Sequence, residues 1–191
     1  QSVTELRLFA SPDERRLLFA TMERYNAACN AASPVAFSEG QFSDRGLQAR
    51  RYHRIRDTFG LSAQMTLLAL RKVAGSYRST REAIKEQNKM LAALGKLLKS
   101  LTEISFREHG AICYDARVLS LGRNRVSIWT LDGRINPGAA GGLRMTKVLF
   151  DGSVFRPSGP IDLEAENTIT VHLSPEEPDK DPAFEIASLA V

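Results

Sequence analysis

A change of residue period near Ile104 constrains this chain more than any other feature. Between Ser11 and about residue 103 the apolar residues recur at helical spacing with charged side chains between them. Before that block, Val3 to Ala10 reads as a strand, and after it come Ala111 to Tyr114, Val118 to Leu121 and Val126 to Leu131, all short and β-rich. Strands that flank an insertion must meet again, so the expected fold class is α+β: a small β-barrel with an inserted four-helix bundle. The expected boundaries are residues 1–10 and 104–136 for the barrel and 11–103 for the helical lobe. A Gly/Ala linker follows at 137–144, then a short β-rich acidic segment at 145–173 and an acidic tail at 174–191, which reads as mobile over Ser174 to Pro182 and whose Ile186 to Val191 can also open a buried strand.

The helical block carries its own start and stop signals. Ser11-Pro12-Asp13-Glu14 sets a cap, a first-turn proline and an acid three residues after the cap, and Leu17, Leu18, Met22 and Tyr25 follow at helical spacing. Ser33-Pro34 is expected to end this helix at about Ala32. A second helix starts after Ser43, carries Leu47, Tyr52, Ile55 and Phe59, and stops at Gly60. Ser62 caps a third, with Met65, Leu68, Ala69, Val73 and Tyr77 inward. A fourth is expected after Thr80, its Ile84, Met90, Leu91, Leu94, Leu97, Leu98 and Leu101 packing against the rest. Leu121 to Arg125 and Asp132-Gly133 read as turns between strands.

Charge is distributed unevenly. Residues 1–144 hold 23 Lys/Arg against 13 Asp/Glu, and residues 145–191 hold 3 against 9, so a net +4 hides two parts of opposite sign. From Arg45 to Lys89 eleven Lys/Arg face three acids, Asp57, Glu82 and Glu86. A cationic helical surface of this kind points to a nucleic-acid backbone, the alternative being a solvated face with no partner. Arg50, Arg51, Arg54 and Arg56 fall within two helical turns, and Arg45, Arg71, Lys72, Arg78, Arg81 and Lys85 extend the set of candidate phosphate contacts. Tyr52 and His53 between them offer stacking or hydrogen bonding, although Tyr52 is equally suited to the core. Gln64, near a helix start, can pair with an adenine edge in a major groove. The nucleic-acid reading requires these cations to converge on one surface rather than to scatter or be consumed by acids of the same chain.

Catalytic signatures do not stand out. His53, His109 and His172 are isolated, Asp115 and Asp132 suit turns or strand edges, and a two-metal nuclease site needs several converging carboxylates. No cofactor or metal is therefore expected. Cys29 and Cys113 have neither CxxC spacing nor metal-ligand neighbours. Without an apolar run of about 18 residues or a signal-peptide pattern, a soluble, cytoplasmic, nucleoid-associated protein with no membrane partner is expected.

Tyr25-Asn26, Tyr52 to Arg56, Phe59 to Gln64 with Val73 and Tyr77, Phe106, Ile112 to Leu121 and Leu131 to Arg134 follow one another in an order that resembles the amino-terminal half of TnpB-type transposon-encoded nucleases and type V CRISPR effectors. The resemblance spans roughly residues 3–136. It implies a wedge-type β-barrel with an inserted recognition lobe that grips a structured guide RNA and its heteroduplex with target DNA, and reads a short motif in the flanking double-stranded DNA. Gly60, Leu61 and Gln64 match the segment that approaches that flanking duplex, and Arg107 falls where the family has a second DNA-contacting loop, with Glu108 beside it repelling phosphate. The family's catalytic half is a RuvC-type nuclease holding Mg2+, and no such half lies within these 191 residues. The chain is thus expected to bind without cutting, unless a RuvC domain follows Val191 or a separate RuvC-type chain completes a split nuclease. Residues 147–173 also resemble small β-rich antitoxins of PIN-domain toxins, which implies a PIN-type toxin as a partner. Their other reading is a hairpin region that belongs to the barrel.

Overall fold

The computed structural model describes residues 6–115, 117–121, 126–136, 138–139, 148–150, 153–155, 168–175 and 184–190, with side chains described for 10–115, 117–120 and 126–136. Helix and sheet are both present, and the chain divides into two units, residues 1–25 with 108–191 and residues 26–107.

The second unit is helical. Helix α1 (Pro12–Ser38) begins in the first unit and ends in this one. It opens on a reciprocal capping box: the Ser11 N–H donates to Glu14 Oε2 at 2.8 Å, and the Glu14 N–H donates to Ser11 Oγ at 3.2 Å. The expected stop at Ser33-Pro34 does not occur, and the helix runs one turn further to Ser38. Pro34 is exposed, whereas Ala32, Ser33 and Ala36 are buried and hold the last turn in place. Ser33 Oγ lies 2.8 Å from the Tyr77 hydroxyl, a buried bond that needs Ser33 in helical conformation on this face.

Helix α2 (Asp44–Phe59) is bounded as its sequence dictates. Ser43 Oγ accepts from the Gly46 N–H at 3.1 Å, and Gly60 at φ 62° closes the other end by donating its N–H to Arg56 O. Leu47 and Ile55, two turns apart, are its buried side chains. Helix α3 (Ala63–Ala93) starts at Ser62, whose Oγ accepts from the Met65 N–H, and buries Met65, Leu68, Ala69, Val73 and Tyr77 as anticipated. The expected third and fourth helices are one continuous helix, so the described residues hold three helices and not a bundle of four. Ser79-Thr80 contains neither glycine nor proline, and Arg78 and Arg81 around it are good helix formers, so nothing interrupts the backbone there.

Packing of the leucine-rich set also differs from expectation. Asp44, at the first turn of α2, reaches Arg71 and Arg78 of α3, so the two helices run antiparallel and α3 continues roughly 20 Å beyond the start of α2. Met90, Leu94, Leu97 and Leu98 lie in or past that overhang and are exposed, Leu97 at 94%. Gly95 at φ 63° turns the chain, which then returns in extended form along α3. Two asparagines hold it by pairing with both backbone groups of one residue. Asn88 clasps Lys99 at 2.8 and 2.7 Å, and Asn30 clasps Phe106 at 2.9 and 2.7 Å. Between them the Ile104 N–H donates to the Tyr77 hydroxyl at 3.0 Å.

The first unit is built on sheets. Strands β1 (Leu6–Phe9), β2 (Ile112–Asp115), β6 (Gly138–Ala139), β9 (Thr168–Pro175) and β10 (Phe184–Ala190) form one five-stranded sheet in the order β2-β9-β10-β1-β6. Strands β3 (Leu119–Leu121), β4 (Val126–Thr130) and β5 (Gly133–Ile135) form a second, and β7 (Val148–Phe150) pairs with β8 (Ser153–Phe155). The strands flanking the helical insertion do share a sheet, but β9 and β10 stand between them: Leu6 is opposite Ile186, and Ile112 is opposite Val171. Among the described strands no pairing closes a barrel. Residues 184–190, placed in the acidic tail with Ile186 to Val191 as an alternative buried strand, form β10, since Phe184, Ile186 and Leu189 give this stretch strand propensity. Gly138–Ala139, expected in the linker, pairs with β1. Residues 122–125 of the first expected turn and 176–183 of the expected tail lie outside the described residues.

Packing within this unit ties α1 to β4. Thr21 Oγ1 donates to Leu17 O at 2.7 Å and accepts the Leu131 N–H at 3.2 Å. Tyr114 is buried, and its hydroxyl donates to Trp129 O at 3.3 Å; burial pushes its phenol above the ordinary tyrosine range. Asp115 Oδ1 accepts the Arg117 N–H at 3.0 Å, the turn role its position suggests.

Candidate nucleic-acid interface

The cations sort by the helix that carries them. On α3, Gln64, Arg71, Arg78 and Lys85 recur every seven residues and so share one stripe, with neighbours of the stripe about 10 Å apart along the axis. Arg71, Arg78 and Lys85 are exposed on it, and Arg81 beside it has its guanidinium over the Phe42 ring at 5.2 Å. Lys85 and Arg81 border an open recess of about 510 Å3 with Ile84, Asn88 and Leu101. Lys72 is off the stripe. Its ammonium donates to Asn26 Oδ1 at 2.8 Å and sits 5.0 Å from the Phe106 ring centroid, so this half-buried lysine supports packing and is corrected from a phosphate contact.

On α2, Leu47, Arg51 and Ile55 succeed one another at four-residue steps on the inner side. Arg50 and Arg54, one turn apart, occupy one edge of the outer side. Arg45 and Arg56, three turns apart, occupy the other, with exposed His53 between. Tyr52 is half-buried and meets His53 edge-on at 5.1 Å, which leaves the imidazole as the more accessible ring.

Acids of the same chain hold part of this set. Glu39 accepts from Arg50 at 2.9 Å and lies 3.5 Å from Arg51, whose side chain is only 24% exposed. Asp44 lies 2.7 Å from Arg78 and 3.8 Å from Arg71. Arg45, Arg54, Arg56 and Lys85 have no ion pair among the described residues. The Arg50, Arg71 and Arg78 pairs are at least one-third exposed on one side or both, so water and salt screen them strongly. Arg45 and Arg54, nine residues apart, lie on opposite edges of α2, and cations held by Glu39 or Asp44 stand beside cations that have no ion pair among the described residues.

The segment expected at the flanking duplex is split. Gly60 is exposed, and a Cβ built there would meet nothing within 4 Å, so only its left-handed backbone requires glycine. Leu61 is 4% exposed, so its side chain belongs to the core and is corrected from a contact with the flanking duplex. Gln64 is half-buried in the first turn of α3, at the head of the cationic stripe. Arg107 is exposed, directly after the clasped Phe106.

Glu39 and Asp44 are the acids at these helices whose pairing composition did not reveal. Asp44 is acidic in a first helical turn, where the helix dipole favours an acid, but its reach to positions 71 and 78 is tertiary. Among the described residues no three His, Cys, Asp or Glu side chains gather to hold a metal. No helix among them is long and apolar enough to cross a membrane. No protein-family model matches the chain, and no curated protein matches it.

Proposed function

We propose that this chain is a nucleic-acid-binding module of an RNA-guided DNA-targeting protein, gripping a structured RNA and duplex DNA without a nuclease site of its own. The observation that carries the reading is the seven-residue recurrence of Gln64, Arg71, Arg78 and Lys85 on α3, together with Arg45, Arg54 and Arg56 of α2, which no described acid pairs. Three exposed cations over about 20 Å of one helix match a phosphate backbone, which presents charge along a line rather than at a point. Their contribution is counterion release, which is blind to sequence, so recognition of a particular target falls to base pairing by the RNA.

Gln64 differs in kind. An amide at the head of the stripe is suited to a base edge, while the cations behind it fix register on the backbone. Cleavage, and the Mg2+ it would use, would require a RuvC domain beyond Val191 or on a separate chain. For residues 147–173, β9 stands in one sheet with β2 and, through β10, with β1; this favours the hairpin reading over a separate toxin-binding module.

The test is an electrophoretic binding assay at physiological salt with the RNA transcribed from the DNA beside the gene. Binding tighter than to bulk RNA is expected. Equal affinity for both would refute the RNA-guided reading.

A further inference from the structure

The outer face of the β3-β4-β5 sheet carries chemistry that the helical cations do not use. Val126, Ile128 and Thr130 of β4 are buried, so the alternate residues Ser127 and Trp129 point the other way. Trp129 is directly opposite Arg134 on β5, and Ser127 directly opposite Ser120 on β3, which places the four on one face. Arg134 is exposed yet fixed: it donates to Ser127 Oγ at 3.0 Å and to Arg117 O at 2.6 Å. The half-buried indole is thus flanked by a guanidinium held in place and by two small serines. Arg117 is exposed at the same edge.

From this face we infer a second nucleic-acid contact: a stacking platform in which Trp129 takes one unpaired base and Arg134, with Arg117, takes its phosphate. A strand face with one aromatic and neighbouring arginines suits single strands, because in a duplex both faces of each base are already stacked. The occupant is fixed by charge. A protein partner of the same geometry needs acids opposite Arg117 and Arg134 and an apolar anchor, whereas a single strand supplies phosphate and ring at the spacing of one nucleotide. The inference deepens the nucleic-acid reading by assigning single-stranded segments to the sheet unit.

Trp129 is the chain's only tryptophan, so its emission reports this face directly. The full chain is titrated with six-nucleotide single-stranded RNA and DNA, with binding followed separately by anisotropy of a dye on the oligonucleotide. Saturable quenching is expected in step with anisotropy, and it persists when Arg45, Arg54 and Arg56 are replaced by alanine. Trp129→Ala should weaken oligonucleotide binding about tenfold, Trp129→Phe much less, and Arg134→Ala should reduce quenching while leaving circular dichroism unchanged. Tighter RNA than DNA binding identifies the 2′-hydroxyl as part of the contact, and equal binding assigns it to base and phosphate alone. Anisotropy without quenching, or unchanged affinity in Trp129→Ala, overturns the platform while leaving the helical interface standing. Quenching that vanishes with the three helical arginines also overturns it as an independent site. Absence of any single-strand binding, with duplex or structured RNA still bound, overturns it as well.

Discussion

Asp44 Oδ1 lies 2.7 Å from Arg78 Nη1, and its other oxygen lies 3.8 Å from Arg71 Nε, so one carboxylate at the start of α2 holds two successive cations of the α3 stripe. The acid both orients them and competes with phosphate for them. Replacing it should therefore separate binding from stability. Asp44→Asn is expected to tighten binding to duplex and to steepen its salt dependence by up to about 0.9 log units for each additional phosphate that the released arginines neutralise. The loss of folding stability should stay under about 1 kcal/mol, since Asp44 and Arg78 are 40% and 51% exposed. Salt titrations and urea unfolding of the variant check both parts; weaker binding with an unchanged slope would show that the acid's role is purely structural.

Leu61, just before α3, and Gln64, in the first turn of that helix, have opposite expected behaviour. Gln64→Ala should relax preference at one base pair of the flanking duplex by roughly 1 to 3 kcal/mol, with little change in salt slope. Leu61→Ala should instead cost about 2–5 kcal/mol of folding stability without altering preference, because its buried side chain leaves a cavity. A panel of duplexes differing at single positions, read beside thermal unfolding, distinguishes them.

Tyr114 provides a pH signature for the sheet unit. Burial raises its phenol above the ordinary value of 10.0, so the folded state favours the neutral form. That stability is fully present below about pH 10 and is lost as pH climbs from the unfolded value toward the raised folded one. Tyr114→Phe should lose this part of the alkaline slope and cost about 0.5–1.5 kcal/mol at neutral pH through the missing bond to Trp129 O. Unfolding followed at Trp129 at neutral and alkaline pH tests it, and identical slopes for both proteins would contradict it.

The boundaries set by local chemistry were the legible ones. Ser11 with Glu14, Ser43, Gly60 and Ser62 act within four residues of themselves, and the structure places a helix end at each. What escaped the sequence was decided by distant partners. Pro34 stays helical because Ser33 bonds Tyr77, and Lys72 leaves the cationic set because Asn26 and Phe106 hold it. Met90, Leu94, Leu97 and Leu98 carry helical period yet stay exposed, because α2 starts alongside the middle of α3 and leaves its far end uncovered. Strand β10 was legible in Ile186 to Val191 but its partner was not, because its pairing with β1 joins residues almost the whole chain apart.

The salt dependence of binding tests the central claim most directly. Arg45, Arg54 and Arg56, which have no ion pair among the described residues, should be replaced together by alanine, and the slope of log K against log salt compared with that of the unaltered chain on one structured RNA and one duplex. A shallower slope on duplex, by up to about 0.9 for each phosphate no longer neutralised, with affinity reduced alike across sequences, is the predicted result. An unchanged slope in a variant that remains folded would mean that the outer side of α2 touches no phosphate, and the proposed interface would be wrong.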